Sequence, residues 1–431
     1  MPPQRTVADR LLEGDSTVAA GLARGLLKPQ RDNLVERPWG GERLCAFKRL
    51  EPTVCASGRT FGESFELSAD DGDDEARVHP SVLPLQDGST ITLPALLAVH
   101  ADALLGEAFV RHYGRRFPLL PKLLDVAELL SVQAHPPGNT EVYVIVDAEP
   151  GATIRLGFAA DVDPAAFRAK LAAGRRDQQR LLESLGAESA AELQRVLKPW
   201  LARRGARPAE LTGSLSARLA AGVEWGAVEA LLASLHEVYW AALDALNAIP
   251  VKAGDVIYNA NPPRVTAASG APASAEVHAL GNPENRGVFA LEIRRPGPTF
   301  RAWDNVRFPL RDIDIEAALG ALNLEATTPA DFVVEPKLVR PGVRRSVDCE
   351  HFRLEHLDLV AGLGVDVPAS PPHSLHALAG RARLEGGDGR ALGTLERGES
   401  ALVPAGVGAY RVSADGALAA LVKVDLPPYA D

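Results

Sequence analysis

The chain reads Ser131-Val132-Gln133-Ala134-His135-Pro136-Pro137-Gly138-Asn139-Thr140-Glu141-Val142-Tyr143-Val144-Ile145-Val146 across the stretch that decides its fold. Two short β-like runs, 131–135 and 141–146, flank a turn of Pro, Gly and Asn residues. The pattern predicts either a β-hairpin or a β-arch. Because side chains alternate along a strand, Gln133 and His135 point to the same face, and the second arm of a hairpin would bring Glu141 back beside them.

These residue types suit a metal site. Gln133 and His135 can deliver two ligands to one ion, and Glu141 adds a carboxylate, although a glutamine amide oxygen is an unusual ligand. His278 is the candidate for a more distant ligand, because two histidines and a carboxylate form the nitrogen and oxygen set of catalytic zinc sites. The competing interpretation is structural, since the chain has ten histidines and most of them are expected to serve the fold.

The sequence changes character over Asp163 to Ala248, where Ala, Leu, Arg and Glu recur with apolar residues at helical spacing. Strand-like runs return at Gly254–Tyr258 and Val288–Ile293, and the last hundred residues are β-like with closely spaced Gly and Pro. We therefore expect a mainly β fold with an α insertion. A β-barrel core would cover residues 1–160 and 250–325, a helical domain 161–249, and a second β-domain 326–431.

Composition excludes several classes of protein. The 431 residues include 46 Lys and Arg against 56 Asp and Glu, so the formal charge of −10 argues against a dedicated nucleic-acid binder. We see no apolar run long enough for a membrane span and no secretory leader, and so expect a soluble cytoplasmic protein. The cysteines Cys45, Cys55 and Cys349 are odd in number, which argues against a disulfide framework and for a reducing compartment.

Several motifs occur in an order that resembles type I mannose-6-phosphate isomerases: Arg37–Gly41, Phe61–Ser68, Phe117–Asp125, Leu130–Pro136 and Gly254–Tyr258. The segments Leu291–Ile293 and Thr299–Asp304 resemble the part of that family that carries a Glu and an Arg. The resemblance covers roughly residues 34–160 and 250–310. It implies a cupin-like (jelly-roll) fold, one zinc ion per chain and the interconversion of mannose 6-phosphate and fructose 6-phosphate through an enediol.

The resemblance also implies roles for individual residues. Glu292 and Arg301 would be catalytic, with Arg301 stabilising an enediolate or meeting the phosphate. Ser131 and Lys122 resemble positions of phosphate contact, against the alternative that Lys122 is a surface lysine. The implied zinc ligands are Gln133, His135, Glu141 and His278.

The chain departs from the family pattern in three places. The family usually has a Lys where Asn139 stands and an Asp where Gly297 stands. An insertion over Asn259 to Glu276 precedes the histidine, and we expect this segment to be mobile and to overhang the pocket. Ignoring the insertion would place Arg264 near the family histidine, but the run Val277–Gly281 favours His278.

The departures keep two alternatives open: an isomerase for another sugar phosphate, or a metal-binding cupin that binds sugar phosphate with little turnover. For the main hypothesis we expect a sugar phosphate as the partner, no nucleic acid or membrane, and a monomer or small homo-oligomer. His373 and His376 are expected to be solvated or to cap other elements, since no carboxylate or cysteine completes a ligand set beside them.

Overall fold

The computed structural model describes residues 5–55, 58–69, 77–217, 222–269 and 272–428. Among them, no helix is both long and apolar enough to cross a membrane. The helices are α1 Val7–Leu12, α2 Ser16–Leu22, α3 Arg43–Lys48, α4 Leu93–Leu105, α5 Glu107–Tyr113, α6 Pro164–Leu185, α7 Ala190–Leu201, α8 Pro208–Ser216, α9 Trp225–Asp244, α10 Pro263–Ser269 and α11 Ile315–Ala321, with 3₁₀ turns at Ala187–Ser189, Pro329–Asp331 and Ala405–Val407.

The strands form sheets of seven, five and eight strands, so the expected mainly β fold is confirmed. They are β1 Leu34–Gly41, β2 Phe61–Phe65, β3 Val82–Pro84, β4 Thr90–Thr92, β5 Leu120–Val126, β6 Val132–Ala134, β7 Glu141–Ala148, β8 Thr153–Phe158, β9 Leu246–Pro250, β10 Val256–Asn259, β11 His278–Ala279, β12 Val288–Arg294, β13 Phe300–Trp303, β14 Val333–Val334, β15 Lys337–Arg340, β16 Val343–Asp348, β17 Arg353–Val360, β18 Gly364–Val367, β19 His373–Gly386, β20 Ala391–Glu396, β21 Ser400–Val403 and β22 Tyr410–Asp425.

Two antiparallel sheets build the first half of the fold. The seven-stranded sheet has the order β1-β2-β5-β12-β7-β10-β14, and the five-stranded sheet has the order β13-β6-β11-β8-β9. Both orders end in edge strands, so the sheets do not close into a barrel, and only the mainly β character of the predicted β-barrel core is confirmed. The two sheets instead share one apolar cluster, to which Ile145 and Val288 contribute from the first sheet and Ile154 and Ile249 from the second.

The turn after His135 is an arch and not a hairpin. Strand β6 pairs with β11 and β13 in the five-stranded sheet, whereas β7 pairs with β10 and β12 in the seven-stranded sheet. The chain therefore crosses from one sheet to the other through Pro136–Asn139. Two consecutive prolines fit this crossing, because they have no N–H group to offer a ladder between the two arms.

Strict alternation sorts the side chains of β7 and β12 between two faces. Tyr143 and Ala290 face the cluster between the sheets, while Val144 and Leu291 face the cluster formed with the N-terminal helices and the C-terminal strands. This alternation directs Glu141, two residues before Tyr143, toward the space between the two sheets.

Helices α6 to α9 form the expected helical block. They run from Pro164 to Asp244, between β8 and β9, and the side chain of Asp163 caps the first of them by accepting hydrogen bonds from Ala165 N and Ala166 N. The helices share an apolar cluster with Val132 and Trp303 of the five-stranded sheet. The block therefore covers the outer face of the sheet that carries β6.

The cysteine prediction is wrong in one respect. Cys45 and Cys55 form a disulfide with a Cα–Cα distance of 6.1 Å, and Cys349 is free. A single cross-link over ten residues is not a framework, but cysteine usage no longer supports a reducing compartment. A cytoplasmic location remains a prediction without that support.

The eight-stranded sheet holds His373 and His376, and neither side chain is solvated. His373 and His376 are 2% and 1% exposed. His373 Nε2 lies 2.7 Å from Tyr410 Oη, and His376 Nδ1 lies 2.8 Å from Ser400 Oγ. The expected solvated or capping role is therefore wrong, because both rings fill buried polar networks.

One of these networks joins the C-terminal strands to the rest of the chain. The carboxylate of Glu66 accepts hydrogen bonds from Ser400 Oγ at 2.7 Å, from Ser64 Oγ at 2.7 Å and from Lys48 Nζ at 2.5 Å. Lys48 and Glu66 are 1% and 3% exposed. A buried carboxylate of this kind depends on every one of its donors.

We expect Lys48→Met to lower the free energy of unfolding by about 3–5 kcal/mol, because it leaves the Glu66 carboxylate buried without its counter-charge. The neighbouring Arg49→Met is the matched control: its ion pair with Glu396 is 55% and 31% exposed, and its loss should cost less than about 1 kcal/mol. Urea titrations followed by circular dichroism measure both values. Equal midpoints for the two variants would contradict the role given to Lys48.

Candidate metal centre and substrate pocket

One pocket between the two sheets is lined mainly by charged and polar side chains. Every residue that the sequence analysis placed in the site lines this pocket except His278, which is paired with Gln133 on the adjacent strand. The lining residues are Arg37, Trp39, Glu63, Lys122, Leu124, Leu130, Ser131, Gln133, His135, Glu141, Leu280, Glu292, Arg294, Thr299, Arg301 and Arg311.

Three neighbouring strands of the five-stranded sheet present one row of polar residues. Gln133 on β6 is directly opposite Arg301 on β13 and directly opposite His278 on β11. Residues in register on adjacent strands share a face, so this row lies on one wall of the pocket. The sequence could not show the register, because β11 and β13 follow the helical block.

The seven-stranded sheet presents a second row. Glu292 on β12 lies opposite Lys122 on β5 and Tyr143 on β7, and Arg294 lies opposite Glu141. The competing interpretation of Lys122 as a surface lysine is wrong: it is 3% exposed, and its Nζ lies 3.4 Å from Glu63 Oε1.

The two rows meet at a cluster of two histidines and a carboxylate. His135 Nε2 lies 2.7 Å from Glu141 Oε1, and His278 Nε2 lies 3.4 Å from Glu141 Oε2. One ligand atom from each of the three residues falls within 4.8 Å of the others, and all three side chains are buried. His135 Nε2 is buried and has no hydrogen-bond partner other than this carboxylate, so an ion in the cluster can be bound by both the nitrogen and the Glu141 oxygen.

The other nitrogen of each histidine is held by the backbone. His135 Nδ1 lies 3.1 Å from Pro298 O, and His278 Nδ1 lies 2.8 Å from Glu276 O. Such bonds direct both Nε2 atoms toward the centre of the cluster, as in metal sites whose histidines are oriented by outer partners. The three residues therefore fit a divalent metal with nitrogen and oxygen preference.

Gln133 lies beside this cluster but is oriented differently. Its Nε2 is 3.1 Å from His278 Nε2, while its Oε1 accepts a hydrogen bond from Ser131 Oγ at 3.2 Å. Rotation of the amide by half a turn would bring Oε1 to the cluster. The ligand role of Gln133 stays a prediction, and Ser131 contacts Gln133 as well as lining the pocket.

Asn259 is a site residue that sequence reasoning missed. It is fully buried, and its Nδ2 lies 3.2 Å from both Glu141 Oε2 and His278 Nδ1. It ends β10, directly opposite Glu141 on β7. Its position immediately after the Gly254–Tyr258 motif is the signal that could have revealed it.

The inserted segment is anchored where it joins the site. Asn261 Oδ1 accepts from Ser274 N at 3.1 Å, and Asn261 Nδ2 donates to Glu276 Oε1 at 2.8 Å. Helix α10 lies between these anchors, and residues 270 and 271 lie outside the described residues. Hydrogen bonds thus tie the two ends of the segment together, and its mobility stays a prediction.

Burial and neighbouring charges separate the pKa values of two of the pocket's carboxylates, Glu141 and Glu292. Burial opposes ionisation of Glu141, but His135, His278 and Arg294 together hold its pKa well below the usual range. Burial, and then the charge of Glu141, raise the pKa of Glu292 to about 8 in spite of Lys122 and Arg294. The pocket thus combines an ionised carboxylate suited to a cation with one that exchanges a proton near neutral pH.

Arg294 is a second site residue that was not predicted. It is 2% exposed, and its Nε lies 3.9 Å from Glu141 Oε1 and 3.8 Å from Glu292 Oε2. Its Nη1 donates to Arg295 O and Gly297 O at 3.0 and 3.1 Å. Strand alternation was the available signal, because Arg294 follows Glu292 by two residues and so shares its face.

The two substituted positions of the family pattern are neighbours. Asn139 Nδ2 donates to Arg295 O at 3.1 Å, and a Cβ atom added to Gly297 would lie 3.4 Å from that same Nδ2. Both therefore adjoin the carbonyl groups that bind Arg294.

Comparisons with known proteins point to one family. Residues 78–151 match the model of the phosphomannose isomerase type I catalytic domain. The chain is 32% identical over 136 residues to mannose-6-phosphate isomerase from Streptococcus mutans, a match that spans 28% of this chain and 37% of that relative. The chain is related to type I phosphomannose isomerases. The resemblance that the motifs predicted is thereby confirmed, although the matched part spans little more than a third of the curated relative.

Solved phosphomannose isomerases share the fold over nearly the whole chain. Mannose 6-phosphate isomerase from Bacillus subtilis superposes with a TM-score of 0.58 at 19% identity, covering 93% of this chain and 99% of that chain. A mutant phosphomannose isomerase from Salmonella typhimurium gives 0.58 at 16% identity, covering 94% and 100%. A mannose 6-phosphate isomerase bound with zinc and yttrium gives 0.57 at 16% identity, covering 94% and 99%.

We expect His278→Ala to remove most of the divalent metal that the purified protein retains, because the cluster loses one of its two nitrogen ligands. Plasma mass spectrometry of the dialysed protein should give about one metal ion per chain for the parent and a small fraction of that for the variant. His236→Ala is the control, since His236 lies on α9 and contacts Arg203 O. Full metal content in the His278 variant would contradict the cluster as a metal site.

Proposed function

We propose that the protein is a zinc-dependent aldose–ketose isomerase that interconverts mannose 6-phosphate and fructose 6-phosphate. The observation that carries this proposal is the single pocket that joins the His135, Glu141 and His278 cluster to Glu292 and Arg301. The family match supports the choice of reaction. We also propose the cupin-like, jelly-roll description of the two sheets and keep the three domain ranges given above.

Zinc suits the donor set of the cluster, with Gln133 as the proposed fourth ligand and one ion per chain. When bound, zinc would act as a Lewis acid that polarises the oxygen atoms of the sugar at C1 and C2. His135 and His278 would serve as neutral ligands. The low pKa of Glu141 keeps its carboxylate ionised for the cation.

The isomerisation moves a proton between C2 and C1, so the pocket needs a group that takes and returns a proton. Glu292 fits this need, because its pKa of about 8 lets it exchange a proton near neutral pH. Arg294, 3.8 Å from Glu292 Oε2, would hold the carboxylate in place as its proton leaves. In this scheme Glu292 acts at carbon, and Arg301 stabilises the negative charge that forms on the enediolate oxygen.

The phosphate group needs cations of its own. Ser131, Lys122 and Arg301 line the same pocket and are the proposed contacts for the phosphate, with Arg301 shared between phosphate and enediolate. Lys122 is held between the two carboxylate-bearing strands, with Glu63 beside it. A chain with a formal charge of −10 therefore concentrates cations where an anionic substrate would bind.

Two other functions are compatible with parts of the site. Asn139 and Gly297 replace charged family residues beside the pocket, which favours an isomerase for another sugar phosphate. A metal-binding cupin that binds sugar phosphate with little turnover is the other alternative. The buried pair of Glu292 and Arg294 argues for turnover, because a simple binding site has no need of a carboxylate with a raised pKa.

We expect Glu292→Gln to lower kcat for fructose 6-phosphate formation by about 10²–10⁴-fold, since glutamine cannot exchange the proton. An assay coupled to reduction of a nicotinamide cofactor measures the rate. The exposed Glu284→Gln is the matched control and should leave the rate unchanged. Zinc content and melting temperature should stay at parent values in both variants, and an active Glu292 variant would exclude Glu292 as the proton carrier.

A panel of phosphorylated sugars separates the three functions. Mannose 6-phosphate should be the preferred substrate of the zinc-loaded protein, with ribose 5-phosphate and glucose 6-phosphate turned over at least about tenfold more slowly, because a buried polar group of the site left without its hydrogen-bond partner costs roughly 1–3 kcal/mol. Product analysis by chromatography and binding by calorimetry are measured on the same preparation. Preferred turnover of another sugar phosphate establishes the second function, and binding of mannose 6-phosphate without any turnover establishes the third.

A further inference from the structure

A second cavity, of about 570 Å³, lies outside the pocket between the sheets. It opens between α5, the end of β12, the turn that joins β16 to β17, and the C-terminal residues 426–428. Its polar lining comes from His112, Tyr113, Arg116, Arg295, Glu350 and His351. None of its lining residues also lines the pocket between the sheets.

His351 is the residue that marks the cavity as a binding site. Its side chain is only 9% exposed, yet its Nε2 atom has no hydrogen-bond partner. The nearest carboxylate oxygen in an ion pair with it, Glu350 Oε1, lies 3.7 Å away, which is beyond hydrogen-bond distance. A buried nitrogen without a partner costs free energy, and a ligand in the cavity that bonds to it would recover that cost.

The charges around His351 favour an anion. Arg116 and Arg295 bring two guanidinium groups to the cavity from different elements, against the single carboxylate of Glu350, which is 54% exposed. Tyr113 fixes one wall, because its hydroxyl donates to Pro427 O at 3.1 Å. Burial is the main cause that lowers the pKa of His351, and the positive charge of Arg295 lowers it further. An anion beside His351 would offset the charge of Arg295.

The position of Arg295 separates this cavity from the first pocket. Successive side chains at the end of a strand point to opposite sides, so Arg294 enters the first pocket and Arg295 enters the second. The carbonyl of Arg295 accepts hydrogen bonds from Asn139 and from Arg294, and Arg294 lines the first pocket. The two sites therefore lie back to back across one residue.

We propose that this cavity is a second binding site, which takes a phosphate-bearing anion through Arg116, Arg295 and His351. A phosphate group matches the arrangement because its oxygen atoms can accept from guanidinium and imidazole donors on several sides at once. The proposal does not depend on the reaction proposed above, and its test measures binding only.

Inorganic pyrophosphate is the probe, titrated by calorimetry at 0.15 M salt into the full chain carrying Arg301→Gln, which weakens competition from the first pocket. In this background the double change Arg116→Gln and Arg295→Gln should weaken binding at least tenfold, and His351→Leu should weaken it about three- to tenfold. Arg111→Gln is the matched control, because Arg111 lies on α5 outside the cavity. It should leave the affinity within a factor of two.

Three results would contradict the proposed second site. An equal loss in the Arg111 variant would reduce the effect to general attraction between charges, and unchanged affinity in both cavity variants would place the pyrophosphate elsewhere. Absence of binding in the Arg301→Gln background would also overturn the proposal. Melting temperatures within about 2 °C of the background establish that each variant is folded, and His351→Gln provides a second, polar substitution if His351→Leu is destabilised.

Discussion

The structure depends on a carboxylate that is buried between two imidazole rings. Glu141 begins β7 of the seven-stranded sheet, His278 lies on β11 of the five-stranded sheet, and His135 directly follows β6 of that same sheet. The three side chains meet because the chain crosses between the sheets at Pro136–Asn139. A hairpin at this turn would have kept both arms in one sheet, so that Glu141 could not approach His135 from the facing sheet. Burying the carboxylate without its partners would be costly, so the cluster and the packing of the two sheets stabilise each other.

The local sequence identified the residues that line the pocket better than it predicted the pairing of the strands around them. Residue types and two-residue spacing brought out Gln133, His135 and Glu141, and motif order brought out Glu292 and Arg301, all of which line one pocket. The arch and the hairpin could not be told apart, because they differ in whether the two arms pair with each other or each pair with distant strands. The partners β11 to β13 lie more than a hundred residues away, beyond the helical block, where periodicity carries no information about register.

Other differences between the predictions and the structure also arise from contacts that local sequence patterns do not show. Lys122 and His376 are polar residues within strands, and their burial follows from networks completed by residues of other strands, such as Glu63 and Ser400. The pairing of Cys45 with Cys55 requires the turn after α3 to bring two Cα atoms within 6.1 Å. Arg294 was accessible to sequence reasoning, but an arginine next to a predicted catalytic carboxylate is easily assigned to solvent, because arginine is rarely buried.

Arg294 also explains how two charged positions could be lost together. The Lys and Asp that the family pattern places at 139 and 297 would stand side by side here, since Gly297 would direct a Cβ to within 3.4 Å of Asn139 Nδ2. Removing one cation and one anion in contact leaves the local charge unchanged, whereas removing either alone would leave a buried charge unpaired. In their place, the guanidinium of Arg294 binds the carbonyl groups of Arg295 and Gly297 and stays within 4 Å of both Glu141 and Glu292. The two positions are thus adjacent, and Arg294 connects the carbonyl groups beside them to the carboxylates of Glu141 and Glu292.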